Sequence, residues 1–323
     1  MRMSRGIFFA ALLGCATGAV AQAYPARPVS IVVAFSAGGP TDSIARIVAA
    51  RMTGALGQTV VVENTTGAGG TIGVGRVVKA APDGYLLGIG HIGTHVVNGA
   101  IYQLPYDLLT DLEPVAMIAT NPQILVGKNA IPAKTLKELL VWVKANQDKA
   151  AIGTGGAGTP AHVSAAHFQT VTGTTPQIVH YRGAAPAMQD ILAGQIDLMF
   201  DQAANSLPQV RGAKIRAYAV TSRTRLAAAP DIPTVDEAGL PGFYMAVWHG
   251  IWAPKGTPPL VIGKINAALA EALADPGVRA KLGDLGQEIP PREQQTPEAL
   301  RAHHKAEIEK WWPVIRKAGI KAD

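Results

Sequence analysis

The chain has 323 residues, 48% of them hydrophobic and 16% charged, and carries 29 basic against 23 acidic side chains for a formal charge of +6. That size and apolar content suit two packed domains and exclude a disordered chain. The positive charge is thinly spread, with no long like-charged run and no interleaving of aromatic and basic residues, which excludes nucleic acid as a partner and leaves a small anion as the simplest counterpart.

Residues 1–23 read as a secretory leader. Arg2 and Arg5 precede an apolar run from Ile7, and Ala21-Gln22-Ala23 is a small-x-small cleavage site that would leave Tyr24 first. Cys15 is the single cysteine, so a mature chain cut there has no disulfide, no thiol catalyst and no cysteine metal site. Leu12-Leu13-Gly14-Cys15 also looks like a lipid-attachment box, and anchoring at Cys15 is the lesser alternative to cleavage. No later stretch is long and apolar enough to read as a membrane span, so an exported, soluble protein is expected.

The stretch from Val29 to Met52 organises the rest. Ile31, Val32 and Val33 suit a buried strand, Ser36-Ala37-Gly38-Gly39 a loop, and Pro40, with Asp42 in the first turn and Ile44, Ile47 and Val48 at helical spacing, opens a helix. Strand, glycine loop and helix start make an anion site, because first-turn N–H groups lack intrahelical partners. Next come a strand over Thr59–Glu63, a glycine-rich stretch to Gly75, a helix near Val74–Ala80, a turn at Pro82-Asp83-Gly84 and a strand over Tyr85–Ile89. This β-α-β-α-β order predicts a parallel sheet flanked by helices.

After that strand, Thr94, His95 and Asn98 are candidate donors to a ligand, or simply helix-capping residues. His91 and His95 are four apart, but Ile92 stands where a zinc site of the His-Glu-x-x-His kind needs its glutamate, so no metal is expected. Leu112–Ile118 and Gln123–Val126 read as two short apolar segments broken at Asn121-Pro122, where the chain crosses to a second domain. Thr135 to Glu138 is a capping box ahead of a helix.

The strand-loop-helix device then repeats from Ala150 to Phe168, with Pro160 in the place of Pro40. Gly153, Gly155 and Gly158 fit a dinucleotide fingerprint, yet no acidic residue follows before Asp190, so no cofactor is expected. Two such loops facing one ligand is the central expectation. Ile178–Tyr181, Gln195–Asp201 and Ile215–Thr221 read as strands. Asp201 orients a ligand hydroxyl or amine, meets a protonated carboxyl, or simply caps the Gln202–Val210 segment. A strand over Trp248–Ala253 leads back to the first domain, and the remainder is helical, with Pro313 expected to kink or end the last helix.

Together, several segments resemble the Bug receptors, the extracytoplasmic solute-binding proteins of tripartite tricarboxylate transporters. They are Phe35 to Asp42 with Ala45-Arg46, Val62-Glu63-Asn64 with Gly67 to Gly70, Ala81 to Tyr85, Leu104 to Asp107, and Gly158-Thr159-Pro160 with His162. Tyr181-Arg182-Gly183 with Pro186, Met199-Phe200-Asp201, Pro233-Thr234-Val235 with Glu237 to Gly239, and Ala253-Pro254 with Gly256 to Pro258 continue the match. The resemblance implies a two-lobed periplasmic binding protein, each lobe a mostly parallel sheet flanked by helices, closing on a small organic carboxylate for transfer to membrane permease subunits. It also implies a monomer with no catalytic residues. Mono-, di- and tricarboxylates, aromatic acids and amino acids are all open as ligands.

The resemblance further assigns a carboxylate clamp to the loops matching Phe35, Ser36, Ala37, Gly38, Gly39, Thr41 and Asp42 and matching Thr154, Gly156, Gly158, Thr159 and His162. Thr94, His95, Arg182 and Asp201 are expected at the variable far end. Ala37 departs from the family's usual proline. The expected lobes are residues 24–119 with 255–323, and 120–254. Two rival readings are a sensor serving a signalling kinase and an exported hydrolase using Ser36, although Gly-x-Ser-x-Gly is absent.

Overall fold

The computed structural model describes residues 24–317 and 319–322. The expected leader, residues 1–23 with Cys15, lies outside the described residues. Strands β1 (Val29–Val33), β2 (Val60–Asn64) and β3 (Leu86–His91) are joined by helices α1 (Pro40–Leu56) and α2 (Thr71–Val78). A π-helical turn, Gly93–Val97, leads into the short α3 (Asn98–Ile101).

The chain then forms β4 (Leu112–Lys128), α4 (Leu136–Asn146), β5 (Ala151–Thr154), α5 (Pro160–Thr172), β6 (Gln177–His180), α6 (Ala184–Leu192) and β7 (Leu198–Gln202). It continues through α7 (Ala203–Arg211), β8 (Ile215–Val220), α8 (Val235–Ala238), β9 (Ala246–Pro254), α9 (Pro259–Ala274), α10 (Pro276–Asp284) and α11 (Pro297–Lys317).

In the first lobe β1 lies parallel to β2 and β3, and in the second β5 lies parallel to β6 and β7. The strands near the crossing are antiparallel: β9 to β3 and β4, and β4 to β7 and β8. Each lobe is thus an α/β layer whose parallel strands end at the other lobe. This is where ligands collect in such sheets, because helix starts and loops converge there.

The expectation of two short segments around Asn121-Pro122 is corrected, since β4 runs unbroken for 17 residues. Its residues 112–122 pair with β9, and residues 123–128 pair with β7 and β8. Pro122 is the last β4 residue paired to β9, so its missing N–H falls where the strand changes sheets and costs little. Sequence alone read the proline as a break because the two partner sheets are remote in the chain.

Of the two expectations for Pro313, a kink or an end, the end is corrected. α11 runs through Pro313 to Lys317. Trp312 Nε1 donates to the Val96 carbonyl (2.9 Å) and Ile315 is fully buried, so packing on the first lobe outweighs one lost helical hydrogen bond.

The second lobe's core is centred on Phe168, Phe200 and Phe243, with Phe168 edge-on to the other two rings at 5.6 and 6.4 Å. Phe168 has no exposed surface. Phe168→Ala is expected to cost about 3–5 kcal/mol, measured as a lowered urea midpoint without a change of slope.

Candidate ligand-binding site

The first loop is shaped by a carboxylate that faces away from the cleft. Asp42 accepts hydrogen bonds from Gly38 N–H, Arg46 Nε, Arg46 Nη2 and Asn64 Nδ2, all at 2.9 Å. Asn64 Nδ2 also donates to the Phe35 carbonyl at 2.9 Å, tying β2 to the loop. Burial alone would lift the Asp42 carboxyl, but the hydrogen bonds from Arg46, Gly38 and Asn64 outweigh it and hold it below the ordinary carboxylate value. Gly38 turns the loop at φ +79°, a backbone state other residues rarely adopt. No side chain caps the start of α1 at Gly39.

The second loop is largely self-satisfied. Thr154 Oγ1 accepts from Gly156 N–H (3.2 Å), His162 Nδ1 from Gly158 N–H (3.1 Å), and the Gly156 carbonyl from both Thr159 N–H (3.2 Å) and Thr159 Oγ1 (2.7 Å). The N–H groups of Gly156, Gly158 and Thr159 are therefore engaged within the loop. Gly155, which has only backbone to offer, faces the cavity instead.

Between the loops lies a small cavity of about 40 Å³. Phe35, Gly39, Pro40 and Thr41 line it from the first lobe, and Gly155, Thr159, Pro160 and Ala161 from the second. That is room for a few water molecules, well below the roughly 300–1,000 Å³ of ordinary ligand pockets. At this volume the lobes lie close upon one another around the cavity. A roomier groove of about 450 Å³ lies at the lobe crossing, beside Asn121, Trp248 and Trp311, away from both loops.

Four buried histidines sit below and behind the first loop. His91 lines the cavity, stacks on Phe35 (centroids 4.9 Å apart) and accepts from Gly93 N–H at Nδ1 (2.9 Å), so its proton is on Nε2. Burial lowers its pKa to about 4. His249 Nε2 lies 3.3 Å from Thr41 Oγ1, and burial, then the nearby His91, hold it well below the ordinary histidine value. His95 stacks on Trp252 at 3.7 Å, and His304 Nε2 meets the His95 carbonyl.

The far end is formed by Gln123, Phe200, Asp201 and Gln202. Among the described residues Asp201 is the one carboxylate lining the cavity, and it accepts from Asn205 Nδ2 and Ser206 Oγ, each at 2.7 Å. Burial lifts its pKa to about 6, with the hydrogen bonds from Ser206, Asn205 and the Gln202 N–H opposing the rise. Gln123 Oε1 accepts from Ser164 Oγ of α5.

Of the residues named from sequence, Phe35, Gly39, Thr41, Thr159 and Asp201 meet around this cavity. Ser36, Ala37, Gly38, Asp42, Thr154, Gly156, Gly158 and His162 build the loops without lining it. Thr94 and His95 lie behind: Thr94 Oγ1 takes His91 N–H (3.0 Å) and contacts His95 Nδ1 (2.9 Å). The Arg182 side chain is exposed, and only its carbonyl takes part, accepting from Ser36 N–H at 3.3 Å. Sequence reasoning missed His91, Gln123, Gly155 and Gln202 as lining residues. Position at a strand end signalled His91 and Gln202, but nothing local signals Gln123. Ser36 Oγ is buried against Gly183 with no hydrogen-bond partner among the described residues, so no base activates it.

Two α/β lobes closed over a loop-lined cavity define a solute-binding protein. Residues 44–320 match the family model described as the tripartite tricarboxylate transporter family receptor, and the chain belongs to that family. Its fold is similar to that of the periplasmic binding protein BugD, at 41% identity and TM-score 0.89, over 92% of this chain and 99% of that one. MatC from Rhodopseudomonas palustris, solved with malate bound, is 39% identical with TM-score 0.87, over 90% of this chain and 100% of that one. R. palustris Rpa4515 with adipate is 34% identical with TM-score 0.88, over 92% and 99%. These are binding proteins and not enzymes, so the hydrolase reading falls. Among the described residues no helix is long and apolar enough to cross a membrane.

The buried groups set opposing pH dependences. His91 and His304, each lowered from 6.5 to about 4, take up protons first in the unfolded chain, so their stability is full above pH 6.5 and lost as pH falls toward 4. Each contributes about 3 kcal/mol. Asp201, raised from 3.8 to about 6, is protonated first in the folded chain, and its contribution is present at low pH and lost as pH rises through 6. That opposing term is also about 3 kcal/mol, so the histidines win. Melting temperature is expected to fall from pH 7 to pH 5, and to fall further over the same range in Asp201→Asn, in scans across that series.

Proposed function

We propose that the protein is a periplasmic receptor, exported by its leader, that captures a small organic carboxylate between its two glycine loops and presents it to the membrane permease subunits of a tripartite tricarboxylate transporter. The observation that carries this reading is the convergence of Gly39, Pro40 and Thr41 with Gly155, Pro160 and Ala161 on one cavity from opposite lobes. Backbone N–H groups at two proline-started helices favour an anion there, and no lysine or arginine side chain is needed. The malate and adipate held by two neighbours support a carboxylate as the class.

In this reading the lobes exchange along β4 near Pro122 and again before Ala246. β9 then belongs with the first lobe, and residues 24–122 with 246–317 move against 123–245. The ligand carboxylate lies between the loops, with its other end toward Gln123, Asp201 and Gln202. Asp201 accepts from a ligand hydroxyl or amine when ionised, and donates to a ligand oxygen once protonated below pH 6. The receptor acts as a monomer, since one chain supplies both walls.

A thermal-shift screen against malate, adipate, citrate and benzoate, each beside its amide, tests the reading. Binding to the folded state at a hundredfold excess over Kd adds about 2.7 kcal/mol, so at least one acid should raise the melting temperature and its amide should not. Gly155→Val should abolish the shift. A Cβ at Gly155 meets only ordinary contacts, 3.4 Å and beyond, against the backbone of Gly183 and Ala184, and Ala184 also lines the cavity, so Gly155→Ala measured beside the valine separates crowding of the site from damage to the loop. No shift with any acid sinks the carboxylate assignment.

A further inference from the structure

We propose that Gly69 and Tyr102 form an inter-lobe latch that sets how long a captured ligand is held, although neither residue lines the cavity. The proposal rests on the capture reading above and adds an affinity determinant outside the ligand's contact surface.

Contacts between the lobes flank the cavity, those of Gly158 with Asn98 and Ile101 among them. On one side Ser36 N–H donates to the Arg182 carbonyl at 3.3 Å. On the other, Tyr102 Oη donates to the Ala157 carbonyl at 3.3 Å, and Gly69 lies against the same carbonyl. A Cβ added at Gly69 would stand 2.1 Å from the Ala157 oxygen and 3.1 Å from Tyr102 Oη. From the second lobe, a Cβ on Gly156 would lie 3.7 Å from Gly69 Cα. The contact is backbone against backbone, and the nearest obstacle is a main-chain oxygen that cannot rotate aside.

Gly69 and Tyr102 belong to the first lobe, and Ala157 to the loop of the second. The clash of a methyl group added at Gly69 therefore exists only when the lobes are together. With the lobes apart, alanine at this position keeps the strain of φ +60° and a 3.1 Å approach to the terminal hydroxyl of Tyr102, a side chain free to shift once its Ala157 partner has gone, and the adjoining Ala68 already holds φ +45°. A substitution that penalises one of two states shifts their populations by that penalty and weakens apparent binding by the same factor. Because the latch forms after the ligand enters, the loss falls mainly on the dissociation rate.

The test uses the full chain with Cys15→Ser, spin-labelled at Val141→Cys and Leu260→Cys, exposed positions on the second and first lobes. Inter-label distances are measured with and without malate or adipate, and dissociation is followed by stopped flow. Gly57→Ala is the control, since Gly57 has φ +66° with nothing within 4 Å of its added Cβ, giving the same backbone strain with no clash. Gly69→Ala should deplete the short-distance population and raise the dissociation rate at least tenfold. Tyr102→Phe should do so about threefold, and Gly57→Ala should match the parent. If Gly69→Ala fails to fold, Tyr102→Phe decides. A short-distance population unchanged in both variants overturns the latch. If neither acid binds the parent, the distances still judge the latch, and the missing binding counts against the carboxylate reading alone.

Discussion

The site depends on one buried carboxylate. Asp42 sits in the first turn of α1, where helix geometry favours an anion. It does not point at a ligand, and it gathers the Gly38 N–H, the Asn64 amide and the Arg46 guanidinium around itself. Those bonds fix the turn at Gly38, tie the end of β2 to the Phe35 carbonyl and aim the helix start at the second lobe. A glycine loop without such an anchor would be free to move, and the conformational cost of ordering it would fall on ligand binding. Here the cost is met on folding.

The second lobe reaches the same end differently. Its loop has no acidic hub, and it closes on itself through Thr154, Thr159 and His162. That arrangement consumes the N–H groups of Gly156, Gly158 and Thr159 and leaves Gly155 facing the cavity. The two loops look alike in sequence, but they divide the work: one is held from behind, and the other holds itself. Glycines are needed where the lobes meet, because any side chain on Gly69 or Gly158 would strike backbone or side-chain atoms on the other lobe.

The floor of the site is neutral at physiological pH. Burial keeps His91 and His249 unprotonated, so they contribute shape and one N–H without a cation. In the proposed receptor, selectivity then comes from fit and from the polar far end, where Gln123, Asp201 and Gln202 meet. This far end is assembled from β4 and β7, strands far apart in the chain.

The amino-acid sequence by itself determined the local units. The β-branched run into Ser36-Ala37-Gly38-Gly39 and Pro40, its repeat at Pro160, and the capping residue Thr135 were legible, because strand, turn and helix-start preferences act over a few residues. The order of those motifs also carried the family. Tertiary structure alone decided the unbroken course of β4 through Pro122, the survival of α11 past Pro313, and which polar groups face the cavity. Thr94 and His95 were plausible ligand contacts by position, yet packing against His91 and Trp252 turned them inward. Gln123 joined the site with no local signal, and Arg182 left it. Each outcome depends on partners dozens to hundreds of residues away, whose burial and hydrogen-bonding demands no short stretch of sequence encodes.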